Sequence, residues 1–189
     1  MARRYAVLDV NGPLTDEQDV RGRMGRYFQT HYAAHYHDQE MREYLAGMLQ
    51  MDAAQRRQHA RYMEAVGAVV GNGFERGQLK LSPYPAAVTA VRKLRERGVT
   101  PVIFSDMPGY KGAARALGLQ AEISECLGPD FGPKKDPATF RKLLQRYGRD
   151  TAFFTDDGRE AAAARAAQVT AFQVGNGDAL LSAVNKWLD

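Results

Sequence analysis

The chain has 189 residues, of which 44% are hydrophobic and 25% are charged, a composition typical of a folded globular protein rather than a disordered one. Lys and Arg number 26 against 22 for Asp and Glu, so the formal net charge is +4. Because the charges are mixed along the chain and no long basic run occurs, the sequence argues against a nucleic-acid partner.

The single cysteine, Cys126, cannot form an internal disulfide, which is typical of a protein from a reducing compartment. Only a short apolar stretch precedes the first aspartate, so we expect neither a signal peptide nor a membrane span. We therefore expect a cytoplasmic protein with no membrane partner. Its small size allows a homodimer, although nothing in the sequence requires one.

The N-terminal part begins with a short apolar run, Tyr5–Val10, that is typical of a buried parallel strand. Residues 16–80 then show no strand pattern. Apolar side chains recur there at near-helical spacing, which predicts several helices. These side chains are Tyr27, Phe28, Tyr32, Tyr44, Leu45, Met48 and Leu49. Since Ser82–Pro85 marks a boundary, we predict a helical cap at residues 15–82, inserted into a core of residues 1–14 and 83–189.

Strand and helix patterns alternate from residue 87 onwards. The predicted strands are Thr100–Phe104, Ala121–Ser124, Ala152–Thr155 and Thr170–Val174. The predicted helices are 87–94, Tyr110–Leu117, Phe140–Tyr147, Glu160–Ala167 and Ala179–Leu188. Alternation at this spacing predicts an α/β fold, a Rossmann-like parallel sheet with helices on both faces.

Polar residues follow three of the predicted strands directly, and ligands of parallel sheets bind at this edge. They are Asp9 and Asn11, Ser105 and Asp106, and Asp156 and Asp157. Converging carboxylates repel one another unless a cation neutralises them, and hard oxygen donors with few protein contacts favour Mg²⁺. A strand-end hydroxyl suits a phosphate oxygen, and a buried lysine in the segment GPKKDP would offset the carboxylates. Each residue taken alone also fits a turn or a helix cap.

The order and spacing of these residues resemble the four motifs of the haloacid dehalogenase-like superfamily. LDVNGPLTD resembles the first motif, VIFSD the second, GPKKDPATFRKLL the third and AFFTDDGREAAAARAAQV the fourth. The stretch GNGFERGQLKLSPYPAAVTAVRKLRERGV and Glu160 in the fourth block are similar to the enolase-phosphatase branch. That branch has a helical cap between the first two motifs.

The resemblance implies a nucleophilic carboxylate, an aspartyl-phosphate intermediate, Mg²⁺ as cofactor, and a small phosphorylated or other anionic metabolite as substrate. The implied catalytic residues are Asp9, Asn11, Ser105 and Lys134. The implied substrate-binding residues are Ser105, Asp106, Lys134 and Lys135. The implied metal ligands are Asp9, Asn11 through its backbone carbonyl, Asp156 and Asp157. Either lysine fits the conserved role of the third motif, and either aspartate of the fourth motif fits the metal.

Two positions depart from the family pattern. The first is Asn11, which stands where family phosphatases carry an acid that protonates the leaving group and then activates water. An amide does neither, and general acid–base catalysis is typically worth about 10²–10⁴-fold. Pro13 also replaces the usual threonine. Three interpretations remain open. They are a substrate that has a good leaving group or supplies its own acid, another chemistry such as dehalogenation or phosphonate cleavage, and a catalytically weakened protein with a binding or regulatory role.

The predicted cap carries two further groups of polar side chains. His31 and His35 are four residues apart, which would allow one helix face to present both to a metal, although a packing or surface role is the simpler interpretation. Arg21, Arg23 and Arg26 can reach an anionic substrate, although a solvated helix face explains them as well.

Overall fold

The computed structural model describes residues 3–32 and 60–189, which contain a five-stranded sheet. The strands are β1 (Arg4–Leu8), β2 (Val99–Phe104), β3 (Glu125–Leu127), β4 (Thr151–Thr155) and β5 (Thr170–Gln173). Their order in the sheet is β3-β2-β1-β4-β5, and every neighbouring pair is parallel. The predicted α/β Rossmann-like sheet is therefore confirmed.

Helices connect these strands. They are α1 (Glu17–Tyr32), α2 (Ala60–Glu75), α3 (Pro85–Glu96), a 3₁₀ turn at Tyr110–Gly112, α4 (Ala113–Ala116), α5 (Pro137–Tyr147), α6 (Gly158–Ala166) and α7 (Gly177–Leu188). The predictions for β1, β2, β4 and β5 agree with the structure to within two residues. Among the helices of residues 3–32 and 60–189, none is long and apolar enough to span a membrane.

The predicted strand at 121–124 is wrong, because β3 forms at Glu125–Leu127. The backbone N–H groups of Glu122 and Ile123 both donate to the carbonyl of Leu119, so this stretch is a turn. Ile123 is nevertheless buried, at 8% exposure. A buried aliphatic residue in a turn gives the same local pattern as a short strand, which explains the error.

Alternation along β1 directs side chains to two separate cores. Ala6 and Leu8 pack on the face covered by α3 and α7, whereas Val7 packs on the face covered by α5 and α6. Burial on both faces is why these strands read as continuous apolar runs instead of alternating ones. Packing on both faces thus fixes the position of the carboxyl edge of the sheet.

The α1–α2 helical pair packs on the first of these cores. Phe28 of α1 and Phe74 of α2 are fully buried there, and α2 also contacts the 3₁₀ turn and α4. Where the chain enters and leaves the pair, the Thr15 hydroxyl donates to the carbonyl of Ser82 at 2.8 Å. The division into a core and a cap at 15–82 stays a prediction. The predictions for His35, Tyr44, Leu45, Met48 and Leu49 lie outside the described residues.

Candidate active site

A cleft of about 620 Å³ opens at the carboxyl edge of the sheet, beside the ends of β1, β2 and β4. Seven of the eight predicted site residues line it, namely Asp9, Asn11, Ser105, Asp106, Lys134, Asp156 and Asp157. The eighth, Lys135, lines a neighbouring cavity of about 370 Å³ that also contacts Asp106 and Lys134. Residues that are far apart in sequence therefore meet where the topology predicts a ligand site.

The floor of the cleft is a buried ion pair between Asp9 and Lys134. The Lys134 Nζ lies 2.7 Å from Asp9 Oδ2, and both side chains are less than 8% exposed. The backbone N–H of Val10 donates to Asp9 Oδ1 at 2.8 Å. Both carboxylate oxygens therefore have a donor, which holds the side chain in one orientation.

Local turn chemistry places Lys134 under the cleft. Asp136 caps α5 by accepting a hydrogen bond from the N–H of Ala138, and Pro137 occupies the first turn of the helix. Gly132 has a φ of 145°, and a Cβ there would lie 2.4 Å from Thr139 Oγ1. Because glycine permits this close approach, the loop can tuck Lys134 beneath the end of β1.

Two residues that we did not predict in the site complete the buried network. Glu160 Oε2 lies 3.2 Å from Lys134 Nζ, and the Thr155 hydroxyl donates to the same oxygen at 2.8 Å. Asp157 and Glu160 form an Asp-x-x-Glu pattern, which usually folds the glutamate back onto the helix start. Here the backbone N–H of Asp157 binds Thr155 Oγ1 instead, and Glu160 is left to bind Lys134. The resemblance pointed to Glu160, but no signal in the sequence singled out Thr155.

Two buried carboxylates thus share one ammonium group, so the network carries an excess of negative charge. Burial raises the pKa of Asp9 to about 7; the charge of Glu160 adds to this rise, while Lys134 opposes it. Burial alone would lower the pKa of Lys134, but the charges of Asp9 and Glu160 outweigh it and raise that pKa. Lys134 therefore stays protonated. The excess of carboxylate groups over ammonium groups favours the binding of a second cation.

Asp156 approaches the end of β1 because residue 12 is a glycine. A Cβ at Gly12 would lie 2.5 Å from Asp156 Cβ and 2.7 Å from its Oδ2, and the φ of Gly12 is +79°. Burial raises the pKa of Asp156, and the nearby charges of Glu17 and Asp157 act in the same direction. The Asp156 carboxylate therefore lies against the backbone of Gly12, in a region of negative electrostatic potential.

The donors at this corner fit a hard divalent cation. Asn11 Oδ1 is buried and has no hydrogen-bond partner among the described residues. Carboxylate oxygens of Asp9 and Asp156 and the backbone oxygen of Asn11 are the donors that Mg²⁺ prefers. Within residues 3–32 and 60–189 no three His, Cys, Asp or Glu side chains group as a metal cluster. Mg²⁺ is usually held by one or two carboxylates and several waters, and Asp9 and Asp156 both line this cleft.

Asp157 and Lys135 lie in a different environment from their neighbours. Asp157 caps α6 by accepting a hydrogen bond from the N–H of Arg159 at 2.7 Å. Its Oδ2 lies 3.1 Å from Lys135 Nζ and 3.4 Å from the Arg159 guanidinium. Slight burial raises its pKa, but these donors outweigh that effect and lower the pKa to about 2. Lys134, not Lys135, is the lysine in contact with Asp9.

Ser105 and Asp106 lie opposite this pair at the end of β2. Ser105 is 2% exposed, and its hydroxyl accepts a hydrogen bond from the backbone N–H of Met107 at 3.2 Å. The Asp106 side chain is half exposed, with Oδ2 at 3.9 Å from Lys134 Nζ. Ser105 and Asp106 thus line the same cleft as Asp9.

A model of the haloacid dehalogenase-like hydrolases matches residues 4–168, and the chain belongs to that family. Enolase-phosphatase E1 from Pseudomonas aeruginosa (strain UCBPP-PA14) is 33% identical over 112 residues, or 52% of this chain. The match spans about half of that relative, 48% of its length. The resemblance seen in the four motifs is therefore confirmed at the level of the family.

Solved structures with the same fold come from several members of the family. UTR4 protein from Saccharomyces cerevisiae has a TM-score of 0.61 at 17% identity, with 89% of each chain covered. The L-2-haloacid dehalogenase RSc1362 has a TM-score of 0.61 at 16% identity over the whole of both chains. CbbY from Rhodobacter sphaeroides, in complex with phosphate, has a TM-score of 0.59 at 15% identity over 89% of this chain and 84% of its own. At sequence identities of 15–17%, these similarities show a common fold.

Proposed function

We propose that this chain is a Mg²⁺-dependent phosphohydrolase that acts on a small phosphorylated metabolite through an aspartyl-phosphate intermediate. The observation that carries the proposal is the buried Asp9 carboxylate, 2.7 Å from Lys134 Nζ, in a cleft shared with Asn11, Ser105 and Asp156. The relative that is an enolase-phosphatase, at 33% identity, supports phosphoryl chemistry.

Asp9 would act as the nucleophile. Its carboxylate oxygen forms a bond to phosphorus while the bond from phosphorus to the leaving oxygen breaks, and water then cleaves the aspartyl-phosphate. Lys134 balances the charge of the nucleophile and of the incoming phosphoryl oxygens. Ser105 and the backbone N–H groups after β2 bind the phosphoryl group as it is transferred.

The Mg²⁺ ion would be held by Asp9, Asp156 and the backbone carbonyl of Asn11. When bound, it supplies the positive charge that allows an anionic nucleophile to approach an anionic phosphate. Asp157 stays a candidate ligand of lower rank, because its carboxylate already caps α6 and binds two cations. The site therefore requires Asp156 more than Asp157.

Asn11 limits the leaving groups that the site can handle. Its amide accepts and donates hydrogen bonds but cannot transfer a proton to a departing alkoxide. The carboxylate released from an acyl phosphate, or the phenolate released from an activated aryl phosphate, is a weak base and departs without such a proton. We therefore expect a substrate of this kind rather than a simple alkyl phosphate.

The α1–α2 pair would serve as the cap predicted at residues 15–82. Glu17, Val20, Arg21 and Met24 of α1 line the cleft beside Asp9 and Asn11. A cap in this position excludes water from the reacting groups and selects the substrate. The residues of α1 are therefore the first place to look for specificity.

The test is phosphate release from acetyl phosphate and 4-nitrophenyl phosphate, with and without Mg²⁺. We expect turnover that chelation abolishes and that Asp9→Asn reduces by at least about 10³-fold, because the nucleophile is lost. Asp178→Asn is the matched control, since Asp178 is an exposed aspartate of α7 outside the cleft lining, and it should keep nearly full activity. Unchanged turnover in Asp9→Asn would disprove the proposal.

A second candidate function is a binding or regulatory protein built on the same fold, and the observation that favours it is the amide of Asn11. The Asn11→Asp variant separates the two. If wild type is silent on both compounds and Asn11→Asp gains Mg²⁺-dependent activity, the scaffold is intact and the natural protein binds its ligand without turning it over. If wild type is active, the enzymatic function stands, and Asn11→Asp should extend activity to alkyl phosphates.

A further inference from the structure

One face of α1 points into the cleft. The lining residues Glu17, Val20, Arg21 and Met24 follow the spacing i, i+3, i+4 and i+7, which places them on a single side of the helix. Arg23 faces elsewhere and binds Asp19 and the Ser82 hydroxyl, each at 2.7 Å. Of the arginines that the sequence suggested for substrate binding, the structure therefore places Arg21 at the cleft.

The charges of the cleft explain why Arg21 matters. The described lining carries six carboxylates, those of Asp9, Glu17, Asp106, Asp156, Asp157 and Glu160, against two cations, Lys134 and Arg21. Lys134 is buried beneath the floor and already bound to Asp9 and Glu160. Arg21 is the cation of the described lining that solvent reaches, with a side chain that is 55% exposed. Arg21 is therefore the solvent-accessible positive charge that the described lining offers to an anionic group.

Glu17 binds the Arg21 guanidinium through one contact and leaves its other N–H donors available. The contact joins Arg21 Nη2 to Glu17 Oε1 at 2.5 Å, one turn apart on the same helix. A guanidinium has five N–H donors in a planar fork, so its remaining edge can still bind a carboxylate or phosphate. Because Glu17 already restrains the side chain, little conformational entropy is lost when an anion binds.

The rest of the same face is apolar. Val20 and Met24 on α1, and Met107 and Pro108 in the segment after β2, line the cleft together with Arg21. A ligand that extends from Asp9 to the Arg21 guanidinium would lie against these apolar side chains. Such a lining suits a short carbon chain or a ring between two polar ends.

We propose that Arg21 is a specificity-determining residue that binds a second anionic group of the substrate. The substrate class is then a phosphorylated metabolite that carries a carboxylate or a second phosphate on a short apolar link. The inference rests on the proposed function for the phosphoryl end, whereas the contact with Arg21 is measured by binding alone.

The experiment compares two probes that differ by one carboxylate, 4-nitrophenyl phosphate and 3-carboxy-4-nitrophenyl phosphate. Their affinities are measured by calorimetry with the Asp9→Asn protein and Mg²⁺, so that no turnover occurs. We expect the carboxylated probe to bind at least about tenfold more tightly, as a charge-assisted contact implies. Adding Arg21→Ala should remove this preference and leave the affinity for 4-nitrophenyl phosphate within about twofold.

Arg26→Ala is the matched control, an arginine of the same helix outside the cleft lining, and it should keep the preference. Arg21→Lys should keep part of it, because the charge remains while the planar fork is lost. The inference is overturned if the Asp9→Asn protein shows no preference, or if the preference survives Arg21→Ala. Equal binding of both probes removes the inference and leaves the proposed function intact, whereas binding of neither probe overturns both.

Discussion

Two charged networks lie side by side in this molecule, and adjacent residues build them. Lys134 belongs to the buried network with Asp9 and Glu160, whereas Lys135 belongs to an exposed network with Asp157. Lys134 is 5% exposed and Lys135 is 50% exposed. The same residue types at neighbouring positions thus experience very different dielectric environments, which decides what each pair can do.

The buried network places two carboxylates next to one lysine, and this arrangement lowers the stability of the fold. Removing Asp9 and Glu160 from water is offset only in part by one lysine, which is why the pKa of Asp9 rises to about 7. The exposed network instead stabilises its carboxylate. Its donors satisfy Asp157, lower the pKa of that carboxyl to about 2 and stabilise the start of α6.

The largest effect should come from Lys134→Met. This change leaves Asp9 and Glu160 buried together without a counter-charge, so we expect a loss of about 3–5 kcal/mol in the free energy of unfolding. Activity should fall with it, because the positive charge next to Asp9, the proposed nucleophile, is gone. Urea denaturation in the presence of a chelator measures the first effect, and phosphate release with Mg²⁺ measures the second.

The matched change in the exposed network is Lys135→Met, which should alter the free energy of unfolding by no more than about 0.5 kcal/mol. Equal effects of the two substitutions would show that burial does not separate the networks. A stable but inactive Lys134→Met protein would place the role of Lys134 in catalysis alone.

Thr155→Val tests the residue that joins the two networks. Its hydroxyl donates to Glu160 and accepts from the backbone N–H of Asp157, and valine keeps the shape without either bond. We expect a loss of about 1–3 kcal/mol, the usual cost of leaving buried polar groups unpaired. Chemical denaturation of the variant measures it, with the exposed Thr30→Val on α1 as a control for the same change in composition. A loss no greater than that of the control would show that the hydroxyl does not connect the networks.

The inner strands β1, β2 and β4 were predictable because most of their residues are buried and form apolar runs. The exception in the sheet was β3, an edge strand of three residues in which Glu125 and Cys126 are only partly buried. Three residues are too few to show a strand pattern, whereas β5, the other edge strand, has four residues and was predicted. Ile123, buried in the turn before β3, supplied a misleading strand signal.

The site residues were predictable where topology alone brings them together, as at the ends of β1, β2 and β4. What the sequence left open was which of two adjacent residues faces inward. Backbone direction in the loop before α5 sends Lys134 under Asp9 and Lys135 outward, and this depends on the close approach of Gly132 to Thr139. Thr155 was missed because a strand-end threonine has no pattern that separates a packing role from a hydrogen-bonding one.

A smaller effect than that of Thr155→Val should come from Asp157→Ala, which removes the cap of α6. We expect a loss of about 1 kcal/mol at neutral pH and no change in the Mg²⁺ concentration needed for turnover. The same aspartate fixes the pH dependence of that loss. Its pKa is lower in the folded protein, about 2, than the ordinary value of 3.8, so its stabilising effect is complete above pH 3.8 and disappears as the pH falls towards 2.

Urea denaturation of wild type and Asp157→Ala at pH 7, 4 and 2.5 measures this difference, which should shrink across the last interval. Asp156→Ala gives the contrasting result, because its carboxylate lies at the proposed metal corner beside Gly12 and its removal should raise the Mg²⁺ requirement. If Asp157→Ala instead raises the Mg²⁺ requirement as much as Asp156→Ala does, then Asp157 is a metal ligand, and the separation between the buried and the exposed network fails at this residue.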